Sequence, residues 1–308
     1  MRKTSLNLVY ELAKKDDRVL FIGSDLGPGV LDDFKKNIPD RFFMEGIAEQ
    51  HIIGMSAGLA LDGFIPYVNT IATFITRRCF EQIAIDLCLH DLPVRLIGNG
   101  GGLVYAPLGP THQAIEDIGI LRTLPNMTIV APCDSDEMKR LMVASLDWTH
   151  PMYIRLAKGG DEIVSKPNID FKIGKGINLR DAGQVLFVTT GITTQRALKA
   201  AKILSNENIE CGVFHIHTLK PFDHVGLQKA AENVDVVISI EEHVLNGGLG
   251  SIILESFSDN GLSKKVIRLG IPDIFSEKYG SQDILMEKYG LNSENIIKVT
   301  QEYLSNNN

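Results

Sequence analysis

Cysteine is scarce in this sequence, and its spacing argues against two kinds of site. The four cysteines, Cys79, Cys88, Cys133 and Cys211, are widely spaced, and no pair has the C-x-x-C spacing of a zinc or redox motif. Nothing in their arrangement indicates a disulfide framework. We therefore expect four reduced thiols packed inside a cytoplasmic protein.

Long apolar segments and an excess of positive charge are also missing. The apolar run at 52–61 is too short to cross a bilayer, and the first residues, Met1 to Thr4, lead into an amphipathic helix pattern and not a signal peptide. The formal net charge of −7 argues against nucleic acid or an anionic membrane as a main partner. We expect no nucleic-acid partner and no membrane partner.

What the sequence does contain is a regular alternation of strand and helix patterns. A chain of 308 residues suits two domains, each able to bury a core. The alternation predicts two α/β domains with parallel sheets. We place the first domain at 1–160, a glycine-containing, charged linker at 161–182 and the second domain at 183–308, which ends in a disordered tail from 305.

Two further motifs are interpreted as structural. Asp134 precedes a helix pattern and Glu137 follows three positions later, which is the spacing of a capping box and not of a metal site. Gly247 to Gly250 open a helix, but the residues before them lack the glycine turn of a dinucleotide site. We predict no metal-ligand set on this chain.

The segment 45–51 reads Glu-Gly-Ile-Ala-Glu-Gln-His and leads into an apolar helix pattern. Glu49 is therefore an acid at a helix start with apolar neighbours. Apolar surroundings favour a protonated carboxyl that can donate a hydrogen bond, whereas a helix N-terminus favours the anion. From these residues alone, Glu49 is either a helix cap or a placed proton donor.

Three segments together resemble the pyrimidine-binding domain of thiamine-diphosphate enzymes of the transketolase type. They are 45–51, Thr-Phe-Ile-Thr-Arg-Arg at 73–78 and Gly-Pro-Thr-His-Gln at 109–113. The rest of the chain is similar to the C-terminal domain of transketolases and deoxyxylulose-phosphate synthases. The resemblance implies a transketolase subunit that uses thiamine diphosphate to transfer a two-carbon ketol unit between sugars. It also implies that Glu49 contacts and activates the cofactor's aminopyrimidine.

The resemblance assigns three more residues to the cofactor. Phe74 takes the position of an aromatic residue that stacks on the pyrimidine, and Ile71 stands where the family often has another aromatic. Asp25 matches an aspartate near the cofactor. By residue type alone, Phe74 also suits an ordinary core position, and Asp25 suits a turn at a strand end.

Substrate contacts are expected from a histidine and three arginines. His112 matches a histidine that hydrogen-bonds substrate oxygens, and its alternative role is to fix the turn after Pro110. Arg155 matches a phosphate-binding arginine, Arg77 an arginine of the synthases, and Arg2 falls at the family's spacing ahead of the first strand. Surface solvation is the alternative for each arginine.

The sequence departs from the transketolase pattern at three polar positions. Leu108 replaces an aspartate, Gly100 a histidine and Gly29 a phosphate-loop serine. The loop 100–107 is small and apolar, with Tyr105 at its polar tip. We therefore expect an altered sugar substrate, such as a deoxy or otherwise modified ketose, phosphorylated or linked to a nucleotide.

The Gly-Asp-Gly motif that binds the cofactor diphosphate and Mg²⁺ in this family is absent from the sequence. We expect a companion chain to supply that domain and most of the Mg²⁺ ligands, and the pair to form a two-plus-two heterotetramer. Two alternatives stay open: the β subunit of a 2-oxo acid dehydrogenase E1 component, and a non-catalytic stabilising subunit. The segment 109–113 favours a transketolase, and Glu49, Phe74 and His112 together oppose a scaffold.

Overall fold

The computed structural model describes residues 1–24, 29–167 and 171–307. Asp25, one of the predicted cofactor residues, lies outside these ranges. Within them the strands are Val19–Gly23 (β1), Phe42–Met44 (β2), Ile65–Ile71 (β3), Arg95–Asn99 (β4), Thr128–Val130 (β5), Met152–Leu156 (β6), Ile177–Arg180 (β7), Val185–Thr189 (β8), Cys211–His215 (β9), Thr218–Lys220 (β10), Val236–Val244 (β11) and Lys265–Ile271 (β12).

The helices alternate with these strands, as the sequence pattern predicts. They are Arg2–Ala13 (α1), Asp32–Asn37 (α2), Glu49–Leu61 (α3), Phe80–Gln82 (α4), Asp117–Leu121 (α5), Ser135–Leu146 (α6), Thr193–Ser205 (α7), His224–Ala230 (α8), Leu249–Asp259 (α9), Gln282–Lys288 (α10) and Ser293–Asn307 (α11). Short 3₁₀ turns occupy Pro39–Arg41 and Ala106–Leu108, and π-helical turns occupy Phe74–Arg78 and Ile83–Cys88.

The first sheet has seven strands in the order β10-β5-β6-β4-β3-β1-β2. All neighbours are parallel except β10, which runs antiparallel to β5. Strands such as β1 and β6 are buried along their whole length, because helices cover both faces of the sheet. Residues of β1 alternate between two apolar cores on opposite faces, and both cores continue into the second domain.

The second sheet has five strands in the order β12-β11-β8-β9-β7. It is parallel except for its edge strand β7, which pairs antiparallel with β9 and falls inside the range 161–182 that we assigned to a linker. Strand β10 leaves this half of the chain and pairs with β5 of the first sheet. The two halves therefore share hydrogen-bonded sheet structure as well as side-chain packing.

The predicted fold class of two mostly parallel α/β layers is confirmed. One local prediction is wrong. Residues 305–307 are not disordered, because α11 extends to Asn307. The side chain of Leu304, near the end of this helix, is buried. None of the helices in the described ranges is both long and apolar enough to cross a membrane.

The carboxyl ends of the parallel strands bring the sequence motifs to one edge of the first sheet. Strand β2 ends just before the segment 45–51, β3 just before 73–78, and β4 just before the loop that carries His112. This edge is where ligands bind in open parallel sheets, since the loops there converge from neighbouring strands. The fold therefore gathers three motifs that are distant in sequence.

Candidate active site

Glu49 is the first residue of α3, and its carboxylate is directed into the protein. Its side chain is only 2% exposed, and Arg78 Nη1 donates a hydrogen bond to Oε2 at 2.6 Å. The residue that precedes the helix is Ala48, which makes no side-chain cap. The structure therefore does not support the helix-cap interpretation of Glu49.

Arg78 joins Glu49 to an aromatic cluster. The π-helical turn that starts at Phe74 places the Arg78 guanidinium 4.6 Å from the centre of the Phe74 ring. The imidazole of His112 meets the Phe74 ring edge-on, with ring centres 5.2 Å apart. The predicted residues Glu49, Phe74 and His112 thus come together, and Arg78 is an addition that the sequence interpretation missed. The only sequence signal for it was the second arginine of the pair 77–78.

His112 is held on a loop with a closed neck. Gly102 and Ala114 exchange backbone hydrogen bonds of 2.9 and 3.1 Å, so the loop leaves and returns at one point. Near its tip, Gly109 has a φ of +77°, which suits glycine, and its carbonyl accepts from the His112 amide. The Thr111 hydroxyl lies 2.9 Å from Nδ1 of His112 and orients the ring.

Tyr105 explains why glycine is required at position 100. Gly100 has a φ of +76°, and a β-carbon there would collide with the Tyr105 ring. The same ring lies edge-on to the His112 imidazole, with centres 6.4 Å apart. The aromatic side chain therefore fills the space that any side chain at position 100 would need. Leu108 at the same loop is 52% exposed.

The predicted substrate arginines do not share one environment. Arg77 pairs with Glu116 and donates from Nη2 to the Gln113 carbonyl at 2.9 Å. Arg155 is buried and makes a 2.8 Å hydrogen bond to Asp117. Among the described residues no hydrogen bond or ion pair connects the side chain of Arg2, at the start of α1, with the Glu49 cluster.

The half-buried Ile71 ends β3, close to the start of the Phe74 turn. It pairs in register with Asn99, the last residue of β4. Its side chain is therefore at the same edge of the sheet as the motif residues. Its predicted contact with the cofactor stays a prediction.

One buried group in the described part of the chain has metal-binding residue types, but its hydrogen bonds explain it without a metal. The ligand atoms of Cys133, Glu137 and His215 lie within 4.8 Å of one another. Glu137 Oε2 already accepts from the Cys133 amide at 2.6 Å and from His215 Nε2 at 2.9 Å, and His215 Nδ1 bonds the Thr194 hydroxyl. We interpret the group as a polar contact between the two domains.

The same contacts correct the predicted capping box. Asp134 caps α6 as expected, with its carboxylate accepting from two amides of the first turn. Glu137 does not return a hydrogen bond to the Asp134 amide, because its carboxylate is turned to Cys133 and His215. Burial alone would raise the pKa of Glu137, but His215 and these hydrogen bonds lower it to about 2.

The residues around Glu49 fit the aminopyrimidine of thiamine diphosphate. A buried carboxyl group suits a hydrogen bond to a ring nitrogen, and the half-buried Phe74 offers an aromatic face for stacking. Mg²⁺ prefers several oxygen ligands in octahedral geometry. Within the described ranges, the Cys133 group is the one metal-type cluster found, and its thiol and imidazole do not suit that ion.

Comparisons with known proteins identify the family to which both halves of the chain belong. The family model described as transketolase, pyrimidine binding domain matches residues 1–160, and the one described as transketolase, C-terminal domain matches 174–296. The chain is 34% identical to an apulose-4-phosphate transketolase subunit from Phocaeicola vulgatus, with 98% of this chain and 97% of the relative covered.

Two other similar proteins also match over nearly their whole length. A 6-deoxy-6-sulfo-D-fructose transketolase subunit from Clostridium sp. strain MSTE9 is 33% identical, with 100% of this chain and 95% of the relative covered. A solved structure, described as a split gene transketolase in an inactive beta4 tetramer, superposes with a TM-score of 0.89 at 34% identity, covering 99% of this chain and 97% of that one. This chain belongs to the transketolase family and comprises its pyrimidine-binding and C-terminal domains.

Proposed function

We propose that this chain is the pyrimidine-binding subunit of a split transketolase that depends on thiamine diphosphate. The observation that carries the proposal is the convergence of Glu49, Phe74 and His112 at the carboxyl edge of the first sheet. When bound, thiamine diphosphate supplies the electron sink for cleaving and forming the bond next to a ketose carbonyl. The chain's own residues orient that cofactor and the sugar.

Each residue of the cluster has a distinct role in this proposal. Glu49 holds a proton against the aminopyrimidine nitrogen, Phe74 stacks on the ring, and Ile71 borders it. His112 donates and accepts hydrogen bonds at sugar oxygens. Asp25 remains a predicted cofactor neighbour on sequence grounds.

We assign the three arginines to two roles, whereas the sequence predicted substrate contacts for all three. The partners of Arg77 and Arg155 inside the chain favour an anchoring role for both over direct phosphate binding. Arg77 holds the end of the loop that carries His112, through its hydrogen bond to the Gln113 carbonyl. Arg2 keeps the phosphate role that we proposed for it from the sequence.

A companion chain completes the site in this proposal. It supplies the diphosphate-binding domain and the Mg²⁺ ligands, and two copies of each chain form a heterotetramer. The solved tetramer of a similar chain supports this, since that assembly of four beta chains is described as inactive. Exposed apolar residues on loops around the site also suit a subunit contact: Ile47 is 77%, Phe275 71% and Tyr279 67% exposed.

The substrate we propose is a modified ketose, carrying a phosphate or another acidic group. The relatives are named for apulose 4-phosphate and for a sulfonated deoxyfructose. Here Gly100 and Leu108 remove two polar contacts, while Tyr105 stands beside His112 in their place. We also propose a cytoplasmic location, which the four buried free thiols support.

The two alternatives make different predictions. The names of the similar proteins favour ketol transfer over the decarboxylation expected of a 2-oxo acid dehydrogenase E1 subunit. A non-catalytic stabilising subunit has no use for a buried Glu49 beside an aromatic face, so the site geometry favours catalysis.

The proposal is tested by reconstitution. The chain is purified alone and together with the product of a neighbouring gene that carries the Gly-Asp-Gly motif, and both samples are assayed for bound thiamine diphosphate and ketol transfer. We expect cofactor binding and transfer only in the pair. Tight binding of thiamine diphosphate and Mg²⁺ by the isolated chain would overturn the split-site proposal.

A further inference from the structure

The second domain contacts the neck of the loop that presents His112. We call residues 103–113 the His112 loop and the hydrogen-bonded pair Gly102 and Ala114 its neck. The neck faces the end of β11, where Glu242 lies far away in sequence but adjacent in space. Next to it, the Val244 amide donates to the Ile115 carbonyl at 2.8 Å.

Glu242 holds the first side of the neck directly. Its side chain is buried, and Oε1 accepts from the Leu103 amide at 2.8 Å and from Gln282 Nε2 at 2.7 Å. A β-carbon on Gly102 would collide with the Glu242 carboxylate, so glycine is required for this approach. Burial raises the pKa of Glu242, although Arg155 opposes the shift.

Arg155 connects the second side of the neck to the same residue. Its Nη2 donates to the Ala114 carbonyl and to the Glu242 main-chain carbonyl, both at 2.9 Å. Its Nε is fixed by Asp117 at 2.8 Å. Both strands of the neck are therefore connected to Glu242, one through its side chain and the other through Arg155.

We propose that Glu242 is a positioning residue that fixes the His112 loop, so that the C-terminal domain sets the geometry of the sugar site. The inference rests on the proposed function in one respect, that His112 contacts substrate. Without the Glu242 carboxylate, the buried Leu103 amide and Gln282 side chain lose their shared acceptor. The loop then loses its anchor on one side, while Glu49 and Phe74 keep their own contacts.

The first test compares variants in the reconstituted complex. Glu242→Ala removes the acceptor, whereas Glu242→Gln keeps an oxygen at the same position. Glu241→Gln is the control at the neighbouring position: its two carboxylate oxygens accept from amides of α9 and Oε2 lies 3.9 Å from His243 Nδ1, so the substitution perturbs α9 and not the hydrogen bond to Leu103. We expect Glu242→Ala to lower kcat/KM for the sugar about 10-fold or more through KM, with cofactor affinity unchanged, and Glu242→Gln to restore most of it.

A double-mutant cycle distinguishes positioning from general damage. In a His112→Ala background, Glu242→Ala is expected to change kcat/KM less than about twofold, because the residue through which it acts is gone. A full loss in that background, or an equal loss in Glu242→Gln or Glu241→Gln, would overturn the proposal.

Hydrogen exchange separates this inference from the proposed function. Amides 103–113 are expected to exchange faster in Glu242→Ala than in wild type, and unchanged exchange would overturn the positioning role. If His112→Ala alone leaves sugar turnover intact, the substrate role of His112 fails, whereas the exchange result still decides whether Glu242 anchors the loop.

Discussion

Arg78 donates a hydrogen bond to Glu49 across 2.6 Å, and its guanidinium covers the ring of Phe74. Both partners are residues that we assign to the aminopyrimidine. Arg78 is 44% exposed, so water screens its ion pair with Glu49. In the proposed site, the arginine therefore competes with the cofactor for one carboxylate and one aromatic face.

Removing this competitor is expected to strengthen cofactor binding. In the reconstituted complex, Arg78→Met should lower the Kd for thiamine diphosphate about two- to fivefold, which is the scale of a partly exposed ion pair. Isothermal titration measures the effect, with Arg18→Met as a control at an exposed pair remote from the motif segments. Weaker binding in Arg78→Met would instead make Arg78 a cofactor ligand.

Two glycines with opposite environments give a matched stability test. Gly100→Ala places a β-carbon against Tyr105 at a φ of +76°, and it should lower the free energy of unfolding by about 2–3 kcal/mol. Gly58 lies inside α3 with open space around it, so Gly58→Ala should be neutral or stabilise by about 0.5–1 kcal/mol. Chemical denaturation of the isolated chain checks both. Equal effects of the two substitutions would show that Tyr105 does not pack over position 100.

Tyr105 should contribute to sugar recognition through its hydroxyl. Tyr105→Phe keeps the ring beside His112, and we expect it to raise KM for the sugar about three- to tenfold with kcat nearly unchanged. Tyr303→Phe, in the C-terminal helix, is the control. An unchanged KM would assign Tyr105 to loop packing alone.

His217 should make the fold sensitive to acid. Burial lowers its pKa to about 4, so the unfolded chain binds its proton first as pH falls. Its stabilising contribution is therefore complete above pH 6.5 and is lost between about 6.5 and 4. Glu241 works in the opposite direction, because burial raises its pKa to about 7 and stability falls as pH rises from about 4.5 to 7.

Because His217 and Glu241 change stability in opposite directions, the pH dependence of wild type alone does not isolate His217. The informative quantity is the difference in unfolding free energy between wild type and a His217 variant. His217 stacks on Phe171 with ring centres 4.2 Å apart, and His217→Phe retains an aromatic ring there. Between pH 6.5 and 4, wild type should lose roughly 2–3 kcal/mol of unfolding free energy relative to this variant. Denaturant titrations at several pH values give the comparison. Parallel pH curves would show that His217 does not titrate in this way.

The sequence was informative for three site residues on short segments that follow strand ends. Glu49, Phe74 and His112 each lie on a segment that follows a parallel strand, so the fold class alone brings them to one edge. Arg78 was missed because the turn 74–78 is π-helical, and this geometry directs Arg78 back over Phe74 while Arg77 turns to Glu116.

Contacts between the domains could not be read from the sequence. Arg155 has the residue type of a phosphate ligand, but its partners Asp117 and Glu242 come from distant segments that meet only after both sheets form. The same is true of Glu137, whose capping spacing concealed a hydrogen bond to His215 across the domain boundary. Burial and partner choice at these positions depend on how the two sheets pack.

The most direct test of the account is the ketol-transfer rate of the reconstituted two-chain complex with Glu49→Ala. Wild type is compared with this variant and with Glu45→Gln, a nearby and more exposed acid. We predict that Glu49→Ala lowers kcat about 10²- to 10⁴-fold while the complex still assembles, and that Glu45→Gln retains most activity. A Glu49→Ala complex that transfers ketol units at the wild-type rate would contradict the assignment of this chain as the cofactor-activating subunit.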